Sequence, residues 1–347
     1  MIPAIPLRKL LLVAVACGAS VALPCLAENR DAATCDLADY RPSVRPDPAG
    51  TATEVTIGLI LADLMAINDV DQTVALDVLL TMEWTDHRLV NAPGCRYPYT
   101  AIWTPEMQLI NSGTIRSRRP PEVLVEADGR VISTVRYEGT VTSPWHLKDF
   151  PFDTNDIVLQ AVSLQHDAAE LPLQISGPWT GRAATLTIPD WAIGEPTADV
   201  STLSLQSIDR EVSIYEFRIP ASRLADYYIY KFVLPLCLIV MMSWSVFWID
   251  ARQLSAQLQL AATSMLTLIA YQFTVNDLLP KVGYLTAMDR YLLSSSVLVF
   301  LALVEALTTG ALAGNGRVAA AAMLDRASRW AFPVVYVIVI LVTLVFR

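Results

Sequence analysis

The chain has 347 residues, 54% of them hydrophobic, and 25 Lys and Arg against 34 Asp and Glu, for a formal charge of −9. A mean hydropathy of +0.43 is too apolar for an ordinary soluble protein, and the acidic balance argues against nucleic acid as a partner. The histidines (His87, His146 and His166) are scattered among five cysteines without metal-ligand spacing, so no metal site or cofactor is expected.

Residues 1–27 read as a secretory signal, with Arg8 and Lys9 ahead of an apolar run and Cys25-Leu26-Ala27 as the small-residue exit. Residues 28–225 are soluble in character, with 15 Arg and Lys against 28 Asp and Glu, a formal charge of −13. Within them, 28–50 look like a loose leader. Alternating and β-branched residues predict strands over 54–61, 73–84, 123–126, 130–137, 157–164, 171–175, 184–188 and 212–219. Asn68-Asp69-Val70-Asp71 reads as an acidic turn, and Asp128-Gly129 as a two-residue hairpin loop. Prolines punctuate the runs. Many short strands in about two hundred residues predict an all-β, immunoglobulin-like sandwich. With the other cysteines in the signal and the first apolar segment, Cys35 and Cys95 are left in an oxidising compartment, and the sequence leaves their pairing open.

From residue 226 the chain is membrane-like, with apolar segments at about 227–249, 254–279, 287–312 and 329–346 that predict an all-α bundle of four spans. Four spans put both ends of the mature chain on the same side of the bilayer, and Arg252, Arg317, Arg326 and Arg329 place the short loops inside. The second segment is unusual. At helical spacing one face carries Ser255, Gln259, Thr263, Leu266, Ala270, Phe273 and Asp277, while the other carries Leu258, Met265, Leu268, Ile269 and Val275. Lipid rejects the first face, so it should look at protein or at water. Helix packing through small polar groups is the competing explanation.

Several of these segments resemble pentameric ligand-gated ion channels of the prokaryotic branch, related to the Cys-loop receptors. The resemblance rests on Trp84-Thr85-Asp86-His87-Arg88-Leu89, Ile102-Trp103-Thr104-Pro105, Leu147-Lys148-Asp149-Phe150-Pro151-Phe152-Asp153 and Ser243-Trp244-Ser245-Val246-Phe247-Trp248. Pro280-Lys281 and Ala331-Phe332-Pro333 add to it, and the second span is most similar to that of the amine-gated bacterial members. Ser143 and Ile157 stand where animal members carry the bridging cysteines.

The resemblance implies a homopentamer in the bacterial inner membrane, with the N-terminal domain and the C-terminus periplasmic. The second-span face becomes a stack of rings around a pore, with Leu266 and Phe273 as apolar constrictions and Asp277 as a carboxylate ring at the outer mouth. That ring and the acidic outer domain favour cations as the permeant ions, although Ser255-Ala256-Gln257 carries no charge at the inner mouth. Agonist-site positions fall at Leu79, Gln108, Thr134, Val162, Leu164 and Val212, mostly aliphatic here, with Trp103, Trp145, Trp179 and Trp191 as candidates for another aromatic box. The agonist is then another small molecule or protons. Asp153, Arg223, an acid from the Asp69/Asp71 loop and Pro280 are expected to couple the two domains. No Gly-x-Ser-x-Gly elbow or phosphate loop points to an enzyme. The alternative is a ligand-binding membrane receptor that assembles without conducting.

Overall fold

A computed structural model describes residues 35–47, 50–111, 113–206, 209–250, 252–276, 279 and 282–346. The expected signal, 1–27, lies outside the described residues.

The outer domain is a two-sheet sandwich, built because each long strand alternates apolar and polar positions. In β1 (Val55–Asn68), Val55, Ile57, Leu59 and Leu61 are fully buried. β1 pairs antiparallel with β2 (Thr73–Thr85) as far as Asn68↔Thr73, so Asp69 sits at the tip of the hairpin. β2 pairs with β4 (Arg130–Thr142), which pairs with β3 (Glu122–Val125). The second sheet centres on β8 (Arg210–Arg223). β5 (Thr154–Ser163) lies on one edge of β8; β6 (Trp191–Ile193) and β7 (Thr197–Leu205) lie end to end along the other. Trp84, Tyr215, Phe150 and Phe217 fill the space between the sheets and toward the membrane.

Four details differ from the sequence expectations. Residues 184–188 form no strand, whereas β7 was not foreseen: Ala198 and Val200, then Leu203 and Leu205, are half-buried at alternate positions, but the alternation slips by one residue at Ser201-Thr202, so no continuous period marks it. The β3–β4 connection spans four residues, 126–129, with Asp128 and Gly129 both at positive φ. A Cβ on Gly129 would lie 2.4 Å from the Asp86 carbonyl oxygen, so glycine is required there on two counts. The leader is also firmly tied down between residues 35 and 47. Cys35 and Cys95 are disulfide-bonded, the Tyr40 hydroxyl donates to Asp86 at 2.6 Å, and Arg88 donates to the Val44 carbonyl at 2.9 Å. Burial pushes the Asp86 carboxyl up, but hydrogen bonds from Arg88 and Tyr40 outweigh it and hold it below the usual aspartate value.

Among the described residues, four helices are long and apolar enough to cross a membrane: α1 (Asp226–Trp248), α2 (Leu254–Asn276), α3 (Ala287–Gly314) and α4 (Val318–Val345). α1 opens through a π-helical turn, Ile229–Val233, ahead of Pro235, whose missing N–H and bulky ring disfavour regular α geometry. The Tyr271 hydroxyl of α2 donates to the Phe232 carbonyl in that turn at 2.7 Å. α4 starts ahead of residue 329 because Ala319-Ala320-Ala321-Ala322 extends it, and it continues unbroken through Pro333. Arg329 of α4 donates to the Phe247 carbonyl, and Trp244 of α1 donates to the Arg329 carbonyl. Tyr291 and Tyr336 join α3 to α4 at 2.7 Å.

Candidate functional site

Of the four helices α2 has the lowest mean hydropathy, 1.3 against 1.8, 2.0 and 2.0. Its packed side is Gln257, Ala261, Ser264, Leu268 and Val275. Ser255, Gln259, Thr263, Leu266, Ala270 and Phe273 are all exposed in the protomer, with Leu266 at 69% and Phe273 at 75%. Thr263 and Thr267 each donate to a carbonyl four residues back, at 2.6 and 2.8 Å, so their hydroxyls are satisfied without a partner helix. Packing within the protomer therefore does not account for the polar stripe. Ile269, placed by sequence on the face opposite the stripe, is 38% exposed. Asp277 lies outside the described residues. Gln272 donates to Ser296 of α3 at 2.6 Å, which helps fix the rotation of α2.

The junction between the domains is built around Arg223, the last residue of β8. Only Leu224 and Ala225 separate it from α1. Its guanidinium donates to Asp153 at 2.8 Å and to both carboxylate oxygens of Asp69 at 2.8 and 2.9 Å. The Arg223 and Asp153 side chains are 3% and 1% exposed and that of Asp69 18%. The guanidinium also lies 4.2 Å from the Trp191 ring centroid and 4.8 Å from that of Phe150. Burial works against its charge, but the two carboxylates outweigh it and raise its pKa above the usual arginine value. Asp71 takes no part; it accepts from Asn68 at 2.8 Å and shapes the loop that presents Asp69. Pro280 lies outside the described residues.

A second connection joins the outer domain to the segment between α2 and α3 and to the start of α3. Ala287 and Met288, at the start of α3, donate backbone N–H bonds to the Lys148 and Phe150 carbonyls at 2.8 and 3.2 Å. The Leu147 N–H donates to the Tyr284 hydroxyl at 3.0 Å. Thr286 and Asp289 form a capping box that starts α3 at this point. The Thr286-x-x-Asp289 spacing was the available signal. The loop 147–153 thus grips Arg223 at one end and the α2–α3 connection at the other.

The agonist-site positions fall into separate groups. Leu79 and Thr134 lie on adjacent strands of the first sheet, whereas Gln108, Val162 and Val212 lie on the second and Leu164 just beyond β5. Gln108, Thr134 and Leu164 are exposed; Val162, Val212 and Trp103 are core residues. Trp103 packs edge-on against Trp84 and 5.5 Å from His166, Trp145 against Trp191, and Trp191 against Arg223. Trp179 stands half-buried against Gly58. Trp103, Trp145 and Trp191 are thus buried among other side chains of the protomer.

His166 is the histidine most affected by its surroundings. Burial against Trp103 holds its pKa below the ordinary 6.5, although Glu170 opposes this. A depressed histidine contributes stability above the unfolded-state pKa, and this is lost as pH falls below 6.5 through the folded value. The outer domain is expected to melt at progressively lower temperature on acidification below that pH. In His166→Gln this component of the pH dependence should vanish; an unchanged pH profile in thermal unfolding would contradict it.

Comparison with known proteins agrees with this geometry. The profile of the neurotransmitter-gated ion-channel ligand binding domain matches residues 32–206, and that of the corresponding transmembrane region matches 232–313. A proton-gated ion channel of Gloeobacter violaceus is 28% identical over 303 residues, covering 85% of this chain and 84% of that protein. A gamma-aminobutyric acid receptor beta subunit of Caenorhabditis elegans is 28% identical over 287 residues, covering 78% of this chain and 51% of the subunit. An alpha-2 subunit of such a receptor from Bos taurus is 26% identical over 286 residues, covering 77% of this chain and 62% of the subunit. The chain therefore spans most of the bacterial relative and between half and two thirds of the animal ones.

Proposed function

Because the chain belongs to the neurotransmitter-gated ion-channel family, we propose that five copies surround an axis lined by α2 and conduct ions when the outer domain is engaged. The observation that carries this reading is the α2 stripe: Ser255, Gln259, Thr263, Leu266, Ala270 and Phe273 face away from every other helix of the protomer. In a ring of five, Leu266 and Phe273 form apolar girdles that close the pore by dewetting. Thr263 and Gln259 form polar rings that exchange for hydration water nearer the cytoplasm. Asp277, one turn past Phe273 in sequence, sets a carboxylate ring at the outer mouth. That ring and the formal charge of −13 on 28–225 attract cations, so the pore is cation-selective. The outer domain and the C-terminus are periplasmic, in a bacterial inner membrane.

Opening is driven by a small ligand or by protons acting on the outer domain, and proton gating is what the name of the Gloeobacter relative states for that protein. Arg223 between Asp69 and Asp153 supplies the coupling, since a guanidinium shared by two carboxylates can exchange partners between closed and open states. The test is reconstitution into liposomes with flux recorded over a pH series and a panel of amines, amino acids and carboxylates. Current reversing near the cation equilibrium potential supports the reading. An assembled pentamer that binds ligand but passes no ions would establish the non-conducting receptor instead.

A further inference from the structure

Four aspartates are buried among the described residues, and their surroundings differ in kind. Asp77, Asp86 and Asp153 each meet an arginine: Arg136, Arg88 and Arg223 respectively. Asp325 of α4, 3% exposed, meets a second acid instead, because its carboxyl lies within hydrogen-bonding reach of that of Glu305 on α3. Ala302, on the turn before Glu305, and Ala321, on the turn before Asp325, are buried and let the two helices come close. Both carboxyl oxygens of Glu305 and Oδ1 of Asp325 are buried with no donor in hydrogen-bonding geometry among the described residues. Thr308 and Thr309 donate to the Glu305 backbone carbonyl, at 2.7 and 3.1 Å, and so leave its carboxyl alone. Arg329, one turn along α4 from Asp325, is the neighbouring cation. Its Nε donates to the Phe247 carbonyl at 2.7 Å and its guanidinium lies over the Trp248 ring, so it closes no ion pair with either acid. Asp250, just past α1, adds a third negative charge nearby. Glu305 also lines a cavity of about 270 Å³ that is apolar apart from Glu305 itself and the Ser328 hydroxyl.

Two carboxylates that touch in an apolar setting do not both stay ionised. We propose that Glu305 and Asp325 bind one proton between them, as a carboxylic acid hydrogen-bonded to a carboxylate that ties α3 to α4. The proton turns one carboxyl into a donor to the other, which is what the orphaned oxygens lack. It is taken from water and returned to water, and it belongs to the pair rather than to either residue. The protonated pair carries one negative charge, opposite the single charge of Arg329. Its loss would set two adjoining carboxylates and Asp250 against that one arginine, and like charges would push α3 and α4 apart. A metal ion would need more ligands, and among the described residues no group of three or more acidic, histidine or cysteine side chains gathers to hold one. The site is independent of the conduction reading: it places a proton-binding group inside the helix bundle, apart from the outer domain on which a ligand or protons act.

The test is infrared spectroscopy of the intact oligomer in lipid nanodiscs over a pH series, with thermal unfolding of the same samples. At neutral pH the wild type should show the carbonyl stretch of an un-ionised carboxylic acid, displaced in heavy water. Glu305→Gln and Asp325→Asn should each abolish that same band, because one proton serves both residues. Raising the pH should bleach the wild-type band. The folded protein then holds a proton that the unfolded chain gives up, so stability falls as pH rises. The wild-type melting temperature should drop over the interval in which the band bleaches. Glu305→Gln keeps an N–H donor for Asp325 without a proton to lose, and that drop should be missing from it. Absence of the band from the wild type at neutral pH, its survival in either variant, or bleaching with no change in melting would overturn the proposal. Stabilisation by sodium at constant pH, lost in both variants, would also overturn it and assign a metal ion to the acids. Should neither variant assemble, the wild-type series decides: a band and a melting temperature that move together support the shared proton, and a band that ignores pH contradicts it.

Discussion

Arg223→Ala is expected to silence ligand-evoked current while the protein still assembles at its normal size. The Arg223 side chain is 3% exposed and holds two carboxylates, one of them 1% exposed, so its removal leaves buried negative charge uncompensated. Breaking such a pair costs about 3–5 kcal/mol locally. The cost falls at the junction, away from the sandwich core, and the Cys35–Cys95 disulfide and the two sheets are untouched. Coupling energies between sites run to about 1–3 kcal/mol, or roughly 5- to 150-fold, and losing the shared cation should forfeit the upper end of that range. Asp69→Asn keeps the Arg223–Asp153 contact at 2.8 Å and should reduce the response only partly. Arg223→Lys keeps the charge but not the fork, and should fall between the two. Wild-type currents from Arg223→Ala would show the pair to be a static tie.

Leu266→Ala is expected to give a leaky or easily opened pore. Leu266 is 69% exposed in the protomer and is not among the buried residues of α2, so truncation leaves no cavity in the helix bundle. Its expected effect is on water in the pore: five missing isobutyl groups widen and wet the constriction. The half-activating ligand concentration should fall about tenfold, equivalent to about 1.4 kcal/mol in favour of the open state, with current in the absence of ligand. An unchanged concentration–response curve would remove Leu266 from the gate and leave Phe273 as the remaining apolar ring.

Much of this arrangement is legible in the sequence, for reasons that differ by region. The α2 stripe could be read because helical periodicity is local, and the structure exposes each described member of it. β1, β2 and β8 could be read because each alternates over a long run against a buried core. β7 could not, since its alternation slips by one residue at Ser201-Thr202, between Ala198 and Val200 on one side and Leu203 and Leu205 on the other. The Arg223 network needed the resemblance: its acids come from residues 69 and 153, which only the folded topology brings together. Trp103, Trp145 and Trp191 show where sequence alone leaves two readings open. A tryptophan is equally suited to a ligand cage and to a core, and within the protomer these three pack against Trp84, Trp191 and Arg223 respectively.

The central claim is that the exposed flank of α2 borders a water-filled axis shared by identical protomers. The direct measurement is reagent labelling of single cysteines on a background lacking Cys237, in the intact oligomer in membranes, with and without an activating condition. Thiol-reactive, membrane-impermeant reagents should modify Thr263→Cys, Leu266→Cys and Ala270→Cys, faster when the channel is active, and should spare Leu268→Cys. Labelling of position 268 with positions 263, 266 and 270 protected in every condition would contradict it.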